Sequence, residues 1–255
     1  MTNPDTPSLV PQSRLYAIES MAEIRKSWRM PQFILPTILL PVAFYGLFAI
    51  AMSDGGTRTA AYALATFGVF AAIGPSLFGF GVGVADERAA NLIELKRVSP
   101  LPGGAYVAAK IAASVLFTGM AVAAIYALGV IAGGVSLTAE RWMLLALIHL
   151  ASVIPFALLG LGIGMRLSAK AAIAAANLLF MGFAVLGGLW FPIDALPDSL
   201  RMFAWATPSW HLSELALHTA GFARPHAALI HIGFLMAFCL AATVFAITGW
   251  QRSAA

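Results

Sequence analysis

The residues of this chain that could carry catalysis, ligate a metal or grip a nucleotide are five histidines, one cysteine, four lysines and eleven acids. Their spacing fits none of these tasks. A helix-borne zinc site needs His-Glu-x-x-His; His226 and His231 are five apart, and no such run exists. A nucleophile elbow needs Gly-x-Ser-x-Gly, and Gly74-Pro75-Ser76-Leu77-Phe78 follows it for three residues and ends in Phe78. A phosphate loop needs Gly-Lys followed by Ser or Thr. Only Lys26 precedes a serine, and Arg25 stands where the glycine is required. A lone histidine such as His149 reads as a hydrogen-bonded packing residue. The single Cys239 excludes a disulfide framework and a cysteine-rich metal site. The chain is therefore expected to hold no catalytic group, metal or cofactor of its own, and any ATP and magnesium it depends on would be bound by a partner.

Composition says where these residues sit. The chain is 60% hydrophobic and 10% charged, against about 25% charge in a soluble domain, and its mean hydropathy is +0.87. Six apolar stretches, 31–52, 60–84, 105–134, 142–165, 171–191 and 226–250, are each near or above the length that crosses a bilayer. The reading is an all-α integral membrane protein with a loose polar tail over 1–12, an interface helix over 13–30, a transmembrane domain over 31–250 and a second tail over 251–255. Glycines at 79, 81 and 83 and at 160, 162 and 164 suit close helix packing. No span carries a charge at its middle, where proton- and ion-coupled transporters usually keep one. That disfavours a secondary transporter and asks for another energy source. A membrane-embedded enzyme or assembly factor is the remaining alternative.

Placing the N-terminus inside puts 11 of the 15 lysines and arginines on that face, as the positive-inside rule requires. Both termini are then expected in the cytoplasm. The net charge of +4 fits basic loops facing anionic lipid better than nucleic acid. In residues 13–30, Leu15, Ile18, Met21 and Trp28 share one face at 100° per residue and Glu19, Glu23 and Lys26 lie opposite, with Arg25 and Arg29 flanking. This pattern predicts a helix lying in the membrane interface.

Residues 85–104 form a polar island between two spans. Asp86 is positioned to cap a short helix with Glu87 in its first turn. Ala89, Leu92, Ile93 and Leu95 would share one side, Glu94 and Arg97 the other, and Ser99-Pro100-Leu101-Pro102-Gly103-Gly104 would turn the chain back. A half-apolar helix held between two spans is suited to docking a cytoplasmic protein.

The stretches ERAANLIELKRVSPLP, with Glu87, Arg88, Leu92, Leu95 and Pro100, and GGLWFPIDALPDSLRMFAWATPSWHLSELALHTAG, with Phe191-Pro192, Leu196-Pro197 and Pro208-Ser209-Trp210-His211-Leu212, resemble the permease subunits of type-2 ABC transporters, mostly bacterial exporters of drugs, lipids or polysaccharides. One departure is Asn91, where many members carry glycine. The resemblance implies a coupling helix around Asp86, Glu87, Arg88, Asn91, Leu92 and Leu95 that fits a groove on an ATP-binding subunit. It also implies a second permease chain, homo- or heterodimeric, and residence in a bacterial inner membrane. Residues 192–225 would form a re-entrant external hairpin capping the exit. The aromatic residues Trp190, Phe191, Phe203, Trp205 and Trp210 suit that hairpin to a membrane boundary. Phe67, Phe70, Phe78, Phe80, Phe117 and Phe180 would suit a hydrophobic or amphipathic cargo.

Overall fold

The computed structural model describes residues 11–52, 56–99, 101–102 and 104–252. The expected tails fall outside it as far as residue 10 and from residue 253; Gln12, Gln251 and Arg252 are helical. Pro100 and Gly103 of the turn after the island also fall outside. Among the described residues there are ten α-helices and no strand.

Helix α1 (Gln12–Trp28) ends where proline restricts the chain: Met30, just before Pro31, is pushed out of the helical region at φ −110°, ψ 79°. Pro31 then opens α2 (Pro31–Ala51) at a position where a missing N–H costs nothing. Helix α3 (Thr57–Ala89) is continuous, with π-helical turns over Phe78–Val82. It is followed by α4 (Leu92–Arg97), α5 (Ala105–Ile131), α6 (Ala139–Gly164) and α7 (Ala169–Leu186). A 3-10 turn (Ile193–Ala195), α8 (Asp198–Ala204), α9 (Pro208–Ala220) and α10 (Ala228–Arg252) complete the chain. Side-chain caps start α6, α7 and α9: Thr138, Ser168 and Thr207 accept from the backbone N–H three residues on. Helix α6 breaks at Ser152, whose Oγ bonds the Ile148 carbonyl at 2.7 Å. Pro155, three residues later, has no N–H to offer the preceding turn.

Helices α2, α3, α5, α6, α7 and α10 are long and apolar enough to cross a membrane, and each overlies one predicted span with ends displaced by at most five residues. The displacement at the end of α3 carries a correction. Asp86 does not cap a short helix; α3 runs through it to Ala89 with no side-chain cap there. The physical break is Asn91, whose φ of 56° is left-handed. Asparagine tolerates that region better than other residues with a Cβ, and glycine adopts it freely. The position where the resemblance leads one to expect glycine is thus one whose backbone suits glycine or asparagine.

Helix α3 is the axis of the bundle. Within its most apolar window 72% of residues are buried, against 17% for α10 and 22% for α2 and α7. Its fit against α6 is backbone on backbone. A Cβ at Gly164 would stand 2.6 Å from the Phe80 carbonyl oxygen and 2.7 Å from that of Gly81, and Gly160 meets the same turn. Of the two glycine triplets, Gly81, Gly160 and Gly164 make this contact, while Gly162 makes room for the ring of Phe245. His149 is fully buried over Gly68, bonding the Ala65 carbonyl (3.0 Å) and the Tyr126 hydroxyl (2.9 Å). It is a packing residue, as the sequence reading expects. Gly164→Val must separate α3 from α6, because backbone cannot give way as a side-chain tip can. Overpacking of this kind costs about 1–3 kcal/mol or more, so thermal unfolding in detergent should begin at a clearly lower temperature than in the wild type.

Candidate functional site

One end of the bundle gathers the charges. Tyr106 and Lys110 lie one turn apart on α5 and so share a face. Lys110 is only 3% exposed, and an ammonium so placed must find anions. It finds two, donating to Glu23 of α1 at 2.9 Å and to Glu87 of α3 at 3.1 Å. Tyr106 donates to the other Glu87 oxygen at 2.6 Å. Lys26 completes the cluster by bonding Glu23 at 2.7 Å and pairing with Glu87. Burial pushes the Lys26 ammonium down, but the carboxylates of Glu87 and Glu23 outweigh it and hold its pKa above the ordinary lysine value of 10.5. Lys26 therefore stays protonated at neutral pH.

This arrangement orients α1. Glu19, Glu23 and Ser27 follow one another at helical spacing toward the protein, and Glu19 pairs with Lys96 of α4. Ile18 and Met21 point away and are exposed, as are Arg25 and Arg29, while the half-exposed Trp28 stacks on Phe117 of α5 at 6.3 Å. The polar face of the amphipathic segment is turned inward and the apolar face outward, the arrangement of a helix that lies against lipid.

Of the island residues, Glu87 is buried in the cluster, and Arg88 turns to the α7 entrance and donates to the Leu167 carbonyl at 2.6 Å. Asp86 and Asn91 are exposed. The apolar residues expected on one side of α4 are split. Ile93 is buried against the bundle, while Leu92, Leu95 (68% exposed) and Val98 (84%) form an uncovered edge. The ion cluster itself escapes a reading by spans. The signal for it is Lys110, a lysine inside an apolar helix, which requires a carboxylate from elsewhere.

At the opposite end, the stretch 192–225 is not a superficial loop. Helix α9 is buried along most of its length, from Pro208, Trp210 and His211 through Glu214 to Ala220, and packs against α3, α6, α7 and α10. Leu196 is buried; Phe191, Pro192, Pro197, Phe203 and Trp205 are exposed. Glu214 is held by Arg224 from beyond the turn at Gly221, with Nε donating to Oε2 at 2.7 Å and Nη2 pairing with Oε1. Neither this pair nor the next is visible in local spacing. His211 Nε2 must donate to the Trp205 carbonyl (3.0 Å), which leaves Nδ1 to accept from Nδ1–H of His231 (3.0 Å).

Two cavities line α3 between these ends. One, of about 280 Å³ between α2, α3 and α7, is walled by Phe33, Phe70, Phe78 and Phe180, with Thr37 and Asn177 as polar points. The other, of about 400 Å³, lies toward the α9 end and includes Phe67, Tyr62, Trp190 and Arg58. Phe44, Phe70 and Trp190, in mutual ring contact at 5.5–6.1 Å, stand between them. Phe80 and Phe117 are enclosed in the packing and line neither cavity.

Two measurements test these sites. Glu87→Ala leaves Lys110 short of an anion, and breaking a buried pair costs about 3–5 kcal/mol. The expected result is a large fall in the unfolding midpoint, with Glu87→Ala plus Lys110→Met less harmful than the sum of the two single changes. At the other end, burial pushes the His211 imidazole below its ordinary value of 6.5. The unfolded chain then takes up the proton first as pH falls, so the stability His211 contributes above pH 6.5 is lost below it. The wild type should lose more thermal stability between pH 7.5 and 5.5 than His211→Gln does.

Residues 15–220 match the family model described as "ABC-2 type transporter". The chain is also similar to a protein of Bacillus subtilis (strain 168) named "Putative transport permease YvfS", with 27% identity over 227 residues, covering 87% of this chain and 93% of the relative. Matched over most of its length, with six bilayer-length helices, this chain belongs to the ABC-2 type transporter family of multi-pass membrane proteins.

Proposed function

We propose that this chain is the permease subunit of an ATP-driven exporter, forming the path through the bacterial inner membrane and receiving its power stroke from a separate ATP-binding subunit that carries the ATP and magnesium. The observation that carries the reading is the uncovered edge of Leu92, Leu95 and Val98 on a helix that is otherwise tied down. Helix α4 joins α3 through Asn91, packs on the bundle through Ile93, and is bound to α1 through the Lys96–Glu19 pair. A push on that edge reaches α3, which walls both cavities, and α1 through the Glu87 cluster. In this reading the charged end is cytoplasmic, with both termini there, and α8 and α9 face the exterior as the re-entrant hairpin.

Helices α2 and α7, largely uncovered and flanking the first cavity, suit an interface with a second permease chain, the two together enclosing the path. The aromatic walls favour a hydrophobic or amphipathic cargo such as a drug, lipid or glycolipid. The permease name of the Bacillus relative agrees with a transport role.

The test is co-expression with a cognate ABC ATP-binding subunit. Leu95→Glu places a charge on the exposed edge without touching the bundle. The permease should fold normally, retain less ATPase on purification and lose about tenfold or more in ATP-dependent efflux, the scale of a hot-spot residue. Undiminished co-purification and efflux would remove the docking role.

A further inference from the structure

We infer that the chain holds a site for an anionic phospholipid between α4, α5, α6 and α10. Two cavities meet there on one side chain, Trp250. The first, of about 320 Å³, is bounded by Lys96 and Arg97 of α4, Pro102, Tyr106 of α5 and Trp250. The second, of about 310 Å³, continues along the bundle between Val107 of α5, Leu158 and Leu161 of α6, and Ala246 and Ile247 of α10. From Trp250 to Thr243 the groove follows α10 for about 10 Å at the helical rise. One end of the joined cleft is cationic and lies beside the ion cluster of α1, α3 and α5. The other is apolar and lies among membrane-length helices. A two-part molecule fits that division, with its phosphate at α4 and an acyl chain along α10.

Charge complementarity selects the headgroup. The Arg97 guanidinium sits 4.9 Å above the Trp250 ring and donates to the Trp250 carbonyl at 3.2 Å, which fixes a cation at the junction of the two cavities. Its carboxylate partner, Glu94 at 3.1 Å, is half-exposed, and pairs of that kind are weak and easily displaced. Lys96, whose ammonium also pairs with Glu19 of α1, stands 5.0 Å from the Tyr106 ring on the same rim. On the next face of α10, Arg166 lies over Phe245 and donates to Thr248 at 2.6 Å, one turn before Arg252. Basic pockets between spanning helices, with aromatic residues at the boundary, are suited to anionic lipid headgroups. The lipid would brace the inner side of α4, behind the edge of Leu92 and Leu95. Binding does not depend on the proposed transport role and can be read on the permease alone.

The experiment places the purified full-length chain in phosphatidylcholine vesicles containing phosphatidylglycerol, with brominated acyl chains on one lipid or the other at equal mole fraction. Trp250 quenching is taken as the difference between wild type and Trp250→Phe. Each basic residue at a membrane surface is worth about 1 kcal/mol toward anionic lipid, or about fivefold. Brominated phosphatidylglycerol should therefore quench Trp250 several-fold more than brominated phosphatidylcholine. The preference should disappear in Lys96→Gln plus Arg97→Gln. Leu158→Phe, which fills the groove and leaves the cations in place, should reduce quenching by both lipids. Equal quenching by the two lipids in the wild type, a preference that survives the double variant, or quenching undiminished by the filled groove overturns the site. Loss of the preference in millimolar inorganic phosphate would assign the pocket to a soluble anion and overturn it as well.

Discussion

A lysine little more than one turn into a membrane-length helix cannot stand alone, and much of the architecture at that end of the protein follows from how Lys110 is neutralised. Its two carboxylates come from different helices, Glu23 on α1 and Glu87 on α3. One buried cation therefore fixes three helices relative to one another. It also determines which way α1 faces, because the acidic side must turn inward and the side bearing Ile18 and Met21 is left uncovered. Replacing such a network by apolar residues need not destabilise a fold, whereas removing one member does. The arrangement thus gives alignment more securely than it gives net stability.

The positions and lengths of the spans were legible in the sequence because membrane thickness acts on every helix through hydropathy alone, and periodicity likewise exposed the two faces of α1. What escaped was pairing over distance. Nothing near Lys110 in the chain announces Glu23, 87 residues away, and nothing near Glu214 announces Arg224 across a left-handed turn at Gly221. The misreading of Asp86 has a different origin. An acid before a short apolar run resembles a cap, but α3 is continuous there and the chain breaks instead at Asn91, where the backbone conformation rather than a capping hydrogen bond ends the helix. The histidines likewise read as unrelated residues until the turn after α9 brings His231 onto His211.

The family assignment gives these local features a common frame. An uncovered apolar edge lies on α4, two aromatic-walled cavities lie along α3, and the two are joined by a short left-handed break and by salt bridges rather than by a flexible loop. The aromatic residues between the cavities, Phe44, Phe70 and Trp190, come from α2, α3 and the segment after α7. Any displacement of α3 relative to α2 or α7 must therefore rearrange that contact.

The unequal burial of the six long helices has a bearing on how this chain can vary. Hydropathy treats α3 and α10 alike, since both are apolar over a bilayer's length. Yet α3 is surrounded by protein, so its side chains answer to steric fit, whereas most of α10 answers only to the solvent it meets. An apolar exchange on the exposed side of α10 meets little steric resistance, while one in α3 must be matched by neighbours such as Gly160, Gly164 and His149. Two segments that both pass as spans are thereby placed under very unequal steric constraint.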